Sequence, residues 1–302
     1  LAAVKSIVVE QVARRGASIL NADDPFTLKM ARHAGGRLIY FTLRGGPDLP
    51  PNLQKHLAEG GCVAALEPSI QGGLLTLLDG ETRTPLLEAG AAPATLGGAA
   101  RFNIQNALAA AAAAYAQGVS PSVIAEALAS FEGSFEQNPG RFNFTRAPGF
   151  TTIVDYAHNP AALSALGEVV TALRHDHDRV IAVVSTPGDR RDEDIREMGA
   201  IAASLFDVVI FRERPDGRGR SPGGVLALLT EGALEAGLAE DRLHSVLDEF
   251  EAARLALTMA RPDDLVVLMP THVEAVWMQV QDFARARRTA PRTETGEAPR
   301  RV

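Results

Sequence analysis

The stretch TTIVDYAHNPAALSALGEVVTAL, residues 151–173, decides the fold. Its first four residues are β-branched and read as a buried strand. From Pro160 onward the apolar residues fall at helical spacing, with the proline in the first turn, where no intrahelical N–H is needed. Between strand and helix, Asp155, His158 and Asn159 place a carboxylate, an imidazole and a carboxamide together. Ligands of open α/β sheets bind at the carboxyl ends of strands, so this crevice is a candidate site. A plainer reading makes Asp155 a turn residue and Asn159 a helix N-cap.

Downstream, strands at 151–154, 180–184, 208–211, 243–246 and 265–269 alternate with helices at 160–173, 192–205, 222–235, 249–260 and 273–288. That alternation predicts a mostly parallel sheet with helices on both faces, a complete Rossmann-like domain over residues 140–288. Residues 289–302 carry no apolar period and are expected to be a disordered tail. Upstream, residues 1–139 predict a separate α/β domain: a helix over 1–12, strands at 17–20 and 37–43, and a Gly- and Pro-rich stretch over 45–98 with short strands at 62–66 and 74–78. An alanine-rich helix over 102–117 follows, then a helix with Ser120 as N-cap and Pro121 at its first position.

Composition bounds the function. A chain of 302 residues with 46 % apolar residues is long enough for two cores. A net charge of −7 and a pI near 5.6 give no electrostatic basis for binding nucleic acid or an anionic membrane. The single cysteine, Cys62, rules out an internal disulfide framework and a cysteine-built metal site, and reads as a small buried hydrophobe. With no apolar run of membrane-spanning length and no signal peptide, the expected compartment is the cytoplasm.

Three motifs in succession, RFNIQNALAA (101–110), PGRFN (139–143) and DYAHNP (155–160), resemble the Mur ligase superfamily of ATP-dependent amide-forming ligases. Lys5 and NADDP (21–25) fit the same pattern, and the resemblance extends over roughly residues 1–288. GDRRDED (188–194) and RGR (218–220) turn it toward the carboxyl-terminal ligase module of the cyanophycin synthetases; peptidoglycan and folylpolyglutamate ligases share forms close to DYAHNP. The fold so implied is α/β, a truncated Mur ligase central domain followed by the Rossmann-like domain. The chain has three lysines, Lys5, Lys29 and Lys55, none following a glycine, so it holds no P-loop lysine to meet a β/γ-phosphate. It also opens on leucine. The expectation is therefore the C-terminal piece of a longer ligase, inactive alone and with an exposed apolar face on its first domain; the alternative is a catalytically silent nucleotide- or substrate-binding remnant.

The resemblance also implies roles. Asn106, with Asn103 one turn before it, would meet the adenine of ATP, though Asn103 also suits a helix cap. Arg141 would contact the nucleotide, Asp155 the ribose hydroxyls, and His158 and Asn159 the γ-phosphate and acyl phosphate. Lys5 falls where several relatives carry a carbamylated lysine that binds Mg2+. After the strands at 180–184 and 208–211, Asp189, Arg190, Arg218 and Arg220 are candidates for the amino-acid or polymer substrate, because arginines clamp carboxylates and carboxylates meet guanidinium groups. Salt-bridged solvated loops are the plainer reading of those charges. The implied partners are an amino acid, arginine, and an acidic polymer, poly-aspartate, with the full-length enzyme a homo-oligomer.

Overall fold

The computed structural model describes residues 2–147, 150–214 and 216–289, in two compact units, Leu1–Gly133 and Ser134–Val302. In the first unit the elements are α1 (Ala2–Lys5), α2 (Ile7–Glu10), β1 (Ala17–Asn21), α3 (Pro25–Met30), β2 (Arg37–Thr42), α4 (Pro51–Ala58), β3 (Cys62–Glu67), β4 (Leu74–Asp79), β5 (Thr82–Glu88), α5 (Arg101–Ala116) and α6 (Pro121–Ser130). The sheet runs β1-β2-β3-β4-β5, parallel through β3 and antiparallel after it. Ile104, Leu108, Ala111 and Ala112 of α5 pack with Ile124 of α6 against one set of strand residues. Alanine at two of those positions gives the helix a close seat on the pleat. Leu53 of α4 belongs to the core on alternate strand residues, such as Tyr40, Val63 and Ala65. Cys62 is fully buried, and burial pushes its thiol up to about 11, as expected for an inert core residue.

The helix predicted over 1–12 is instead two short helices. Ser6 breaks it, with a hydroxyl that donates to Ala3 O and reaches Glu10, a local competition typical of serine. Val4, Ile7 and Val8 there are exposed, as is Phe26.

The second unit contains β6 (Asn143–Ala147), β7 (Phe150–Val154), α7 (Pro160–Leu173), β8 (Val180–Val184), α8 (Asp192–Leu205), β9 (Val208–Arg212), α9 (Gly224–Glu235), β10 (Leu243–Val246), α10 (Glu249–Met259), β11 (Asp264–Leu268) and α11 (Val273–Thr289). Its sheet runs β10-β9-β8-β11-β7-β6, parallel except for the antiparallel edge strand β6. The central strands are buried throughout, the pattern of a sheet covered on both faces. Helices α10 and α11 share a core with Val154, Ile181, Ile210 and Val266. On α8 and α9, a Cβ at Gly199 would lie 2.1 Å from Leu229 O and one at Gly232 2.1 Å from Arg196 O, so the two helices touch backbone to backbone. The chain leaves β7 for β8 and later inserts β11 between them, which puts the reversal of strand order beside β7, β8 and β11. The predicted tail lies, from residue 290 on, outside the described residues. No described helix is long and apolar enough to cross a membrane.

Candidate functional site

The carboxyl ends of β7, β8, β9 and β11 meet around one small cavity, lined among others by Tyr156, His158, Ser185, Arg212, Arg214 and Thr271. The local sequence builds it. Asn159 caps α7, its side-chain oxygen accepting from Ala162 N at 2.9 Å, and Pro160 follows at the first position. His158 is pinned twice: its Nδ1 lies 2.9 Å from Tyr156 O, and its own carbonyl accepts from Thr186 Oγ1 at 3.2 Å. Its ring is tilted against Tyr156, with centroids 5.2 Å apart. Exposed Arg141 places its guanidinium 5.5 Å from the other partner of that ring, the Tyr156 centroid.

Asp155 looks back at the same turn. Its Oδ2 accepts from Phe142 N at 2.9 Å, and Phe142 holds a positive φ of 56° that a bulky residue rarely adopts. Gly140, with φ 70°, sits where a Cβ would meet Val273 at 2.7 Å. Asp155 thus anchors the strained GRFN turn that carries Arg141. Burial raises its pKa above the ordinary value, opposed by hydrogen bonds from Ala157 and Phe142 and by the charges of Arg141 and His158.

Beneath the cavity lies a buried charge pair. Arg212 and Glu249 are 2 % and 4 % exposed in their side chains and 3.3 Å apart. Arg212 also donates to Met269 O at 2.7 Å and Thr271 Oγ1 at 3.0 Å, while Glu249 accepts from the backbone N–H groups of Thr271 and His272 and faces His272 Nδ1 at 2.6 Å. Burial, with the neighbouring Arg214 charge, brings the Arg212 guanidinium down to about 10. Burial also pushes Glu249 upward, but Arg212, His272 and the two backbone donors hold it below the usual carboxylate range.

The predicted substrate residues lie at the same sheet edge, and they satisfy one another. Arg218 donates to Asp189 at 3.0 Å and Arg220 to Asp192 at 2.6 Å, Gly188 O and Arg190 O, while Arg190 is exposed. The Arg218 charge holds Asp189 below the ordinary carboxylate range. Backbones approach as closely as side chains: a Cβ on Gly188 would lie 2.2 Å from Gly217 O. Glu213 is the anion of the α9 N-terminus, accepting from Gly223, Val225 and Leu226 N–H at 2.7–3.0 Å.

In the first unit Asn103 and Asn106 share one face of α5 and line a cavity of about 340 Å3 with Ala94, Ala107, Ala110 and Phe131. Asn103 does not cap α5, whose N-cap position is Ala100; its amide donates to Ala94 O at 2.7 Å and its oxygen accepts from Asn106 at 3.2 Å. Ser120 likewise stands at the N-cap of α6 without making a capping bond. In NADDP, Asp24 caps α3 and Asp23 accepts from Thr42, Leu43 and Arg44, a turn tied to the end of β2. Lys5 is exposed on α1. Among the described residues no three His, Cys, Asp or Glu side chains gather to hold a metal ion. Sequence reasoning overlooked Ser185, Arg212 and Arg214 as cavity residues; an arginine continuing the apolar run VVIF was the one available signal.

Residues 140–272 match the family described as Mur ligase, glutamate ligase domain. The second unit carries a Mur ligase domain. Over 273 residues and 90 % of its length the chain is 39 % identical to a cyanophycin synthetase of Trichormus variabilis, covering 29 % of that protein. It is 30 % identical over 292 residues to a UDP-N-acetylmuramyl-tripeptide synthetase of Deinococcus radiodurans, covering 95 % of this chain and 52 % of that one. The chain thus spans under a third of the cyanophycin synthetases it matches. A solved structure of Escherichia coli FolC in complex with DHPP and ADP shares the fold, with a TM-score of 0.61 and 20 % identity over 95 % of this chain and 57 % of that one. The α/β architecture with two sheets and the resemblance to the Mur ligases therefore both stand.

Proposed function

We propose that this chain is the C-terminal part of an ATP-dependent amide ligase of the cyanophycin synthetase kind, which joins arginine through its α-amino group to aspartate side chains of a poly-aspartate backbone. The observation that carries the reading is the cavity at the strand-order reversal of a Mur ligase domain, bordered by His158 and Tyr156 with Arg141 and Asp155 on the adjoining turn. The identity to cyanophycin synthetases over 90 % of the chain supports the choice among ligases.

When bound, ATP supplies the phosphoryl group that activates a carboxylate toward an amine. The apolar cavity beside Asn103 and Asn106 suits a flat heteroaromatic base, with carboxamides at its rim to give and accept hydrogen bonds. Arg141 brings a permanent, planar cation for phosphate, held over Tyr156. His158, fixed by Tyr156 O and Thr186, offers a positioned imidazole. In this reading Asp155 also meets ribose hydroxyls, with cytoplasmic ATP as the nucleotide. Magnesium would be held largely by the nucleotide's phosphates and water, and no step is assigned to the metal.

The test is ligation by the protein expressed from its complete gene, given ATP, magnesium, labelled arginine and poly-aspartate. Label entering the polymer with release of ADP is the expected result. Labelling by glutamate or diaminopimelate instead would move the protein to a folylpolyglutamate or peptidoglycan type, and no labelling by any amine would refute the ligase reading.

A further inference from the structure

In the turn Gly140-Arg141-Phe142-Asn143 one residue is exposed, Arg141, and the other three are buried. Arg141 sits between two residues of positive φ, Gly140 at 70° and Phe142 at 56°. The first suits glycine; the second is a conformation that a bulky side chain rarely takes, so the surroundings must impose it. Each backbone N–H across the turn has its acceptor. Arg141 N donates to Asn138 O at 3.3 Å, Phe142 N to Asp155 Oδ2 at 2.9 Å and Gly140 N to Asn143 Oδ1 at 2.6 Å.

Asn143 ties the turn twice. It is 1 % exposed, and while its Oδ1 takes the Gly140 N–H its Nδ2 donates to Asn138 O at 3.0 Å, so one carboxamide fastens the loop to the start of β6 by giving and accepting at once. Asn143→Asp would turn an oxygen toward Asn138 O, and Asn143→Ala would strip Gly140 N of its acceptor. The arm before the turn is fixed as well: Asn138 N donates to Ser134 O at 2.9 Å, and the Phe135 ring stacks on Trp277 at 4.6 Å with the planes 2° apart. What all this holds in place is one solvent-facing guanidinium, 5.5 Å from the centroid of Tyr156, the same ring that His158 leans against. A long side chain that is already ordered loses less freedom when it meets a ligand, which is what a preset arginine gains.

We infer that Asn143 is a positioning residue that acts through Arg141: by closing the turn from within the core it holds the Arg141 guanidinium over Tyr156, preset for an anionic ligand at the carboxyl end of β7. That this ligand is the nucleotide rests on the ligase reading; the placement of Arg141 by Asn143 does not.

Placement is read in the 302-residue chain from the Arg141 Nε–H cross-peak by 1H–15N NMR, assigned with Arg141→Lys. In the wild type the peak should carry the ring-current shift of Tyr156, lost in Tyr156→Leu, and the strong heteronuclear NOE of an ordered group. Asn143→Ala should remove both, with a cooperative urea transition of Trp277 showing that the unit stays folded. Asn143→Asp, which keeps the acceptor for Gly140 and loses the donor to Asn138, should do the same and decides the matter if the alanine variant does not fold. A wild-type peak indifferent to Tyr156→Leu, or one unmoved in a folded Asn143 variant, would overturn the inference. Function is read in the protein expressed from its complete gene. There Arg141→Ala and Asn143→Ala should each raise the KM for ATP about tenfold, the loss of one charge-assisted contact, and the double variant should match Arg141→Ala alone. Additive losses would make Asn143 a structural residue only, overturning the inference and leaving the ligase reading standing. A wild type that ligates nothing would sink the ligase reading, and the Arg141 cross-peak would then decide the inference by itself.

Discussion

Removing the Glu249 side chain should destabilise the second unit far more than removing Glu249 and Arg212 together. In Glu249→Ala the Arg212 guanidinium stays buried without its counter-charge, and the N–H groups of Thr271 and His272 lose their acceptor. Breaking a buried pair from one side costs about 3–5 kcal/mol, whereas replacing both members by apolar residues of similar size is often neutral. Arg212→Met with Glu249→Leu should therefore recover at least half of the loss, the two backbone donors accounting for the rest. The assay is urea unfolding followed by Trp277, the only tryptophan, whose ring stacks on Phe135 at 4.6 Å within the second unit. With a slope of about 2 kcal/mol per molar urea, the single variant should lower the midpoint by roughly 1.5–2.5 M. The folded pKa of Glu249 lies below its ordinary 4.5, so its contribution is complete above 4.5 and fades as pH falls through the lower folded value. The gap between wild type and Glu249→Ala should close accordingly in acid. Equal losses in the single and double variants would refute the reasoning, because Glu249 would then act through its backbone bonds alone.

Gly232→Ala should cost about 1–3 kcal/mol by the same assay, because the new methyl would meet Arg196 O and push α8 from α9; a change under 0.5 kcal/mol would mean that the helices slide apart freely. Asp155→Asn should match or exceed wild-type stability at pH 7. Burial raises the folded pKa of Asp155 above 3.8, so the stability of its protonated form is complete below 3.8 and lost as pH rises through the raised value. The advantage of asparagine should then vanish on acidification, and a clear loss at pH 7 would show that the hydrogen bonds from Phe142 and Ala157 outweigh burial.

The elements that sequence places well are those whose local signals agree. Helix α7 begins at Pro160 because Asn159 caps it and the proline needs no donor, and β8, VIAVV, is apolar at every position, as a doubly covered strand must be. Strand β6 escapes because NFTRA is a polar edge strand whose other side makes no ladder, and β5 because TRTPLLE places Pro85 beside a register shift. Helix α4 escapes for the opposite reason: its one fully buried residue, Leu53, leaves no apolar stripe to read in PNLQKHLA.

The site divides along the same line. Asp155, His158 and Asn159 are legible because one strand-to-helix turn brings them together, whatever the rest of the chain does. The pairing of Arg218 with Asp189 and of Arg220 with Asp192 depends on β9 lying beside β8, 28 or 29 residues apart in the chain. The meeting of Ser185, Arg212 and Arg214 depends on more still, on the ends of β8, β9 and β11 closing around one small space while Glu213 is drawn away to α9. An arginine at the end of an apolar strand announces only that it will be buried. Whether the fold neutralises its charge follows from counting the acids that reach it, and at this cavity buried Glu249 pairs with Arg212 and half-exposed Asp216 with Arg214.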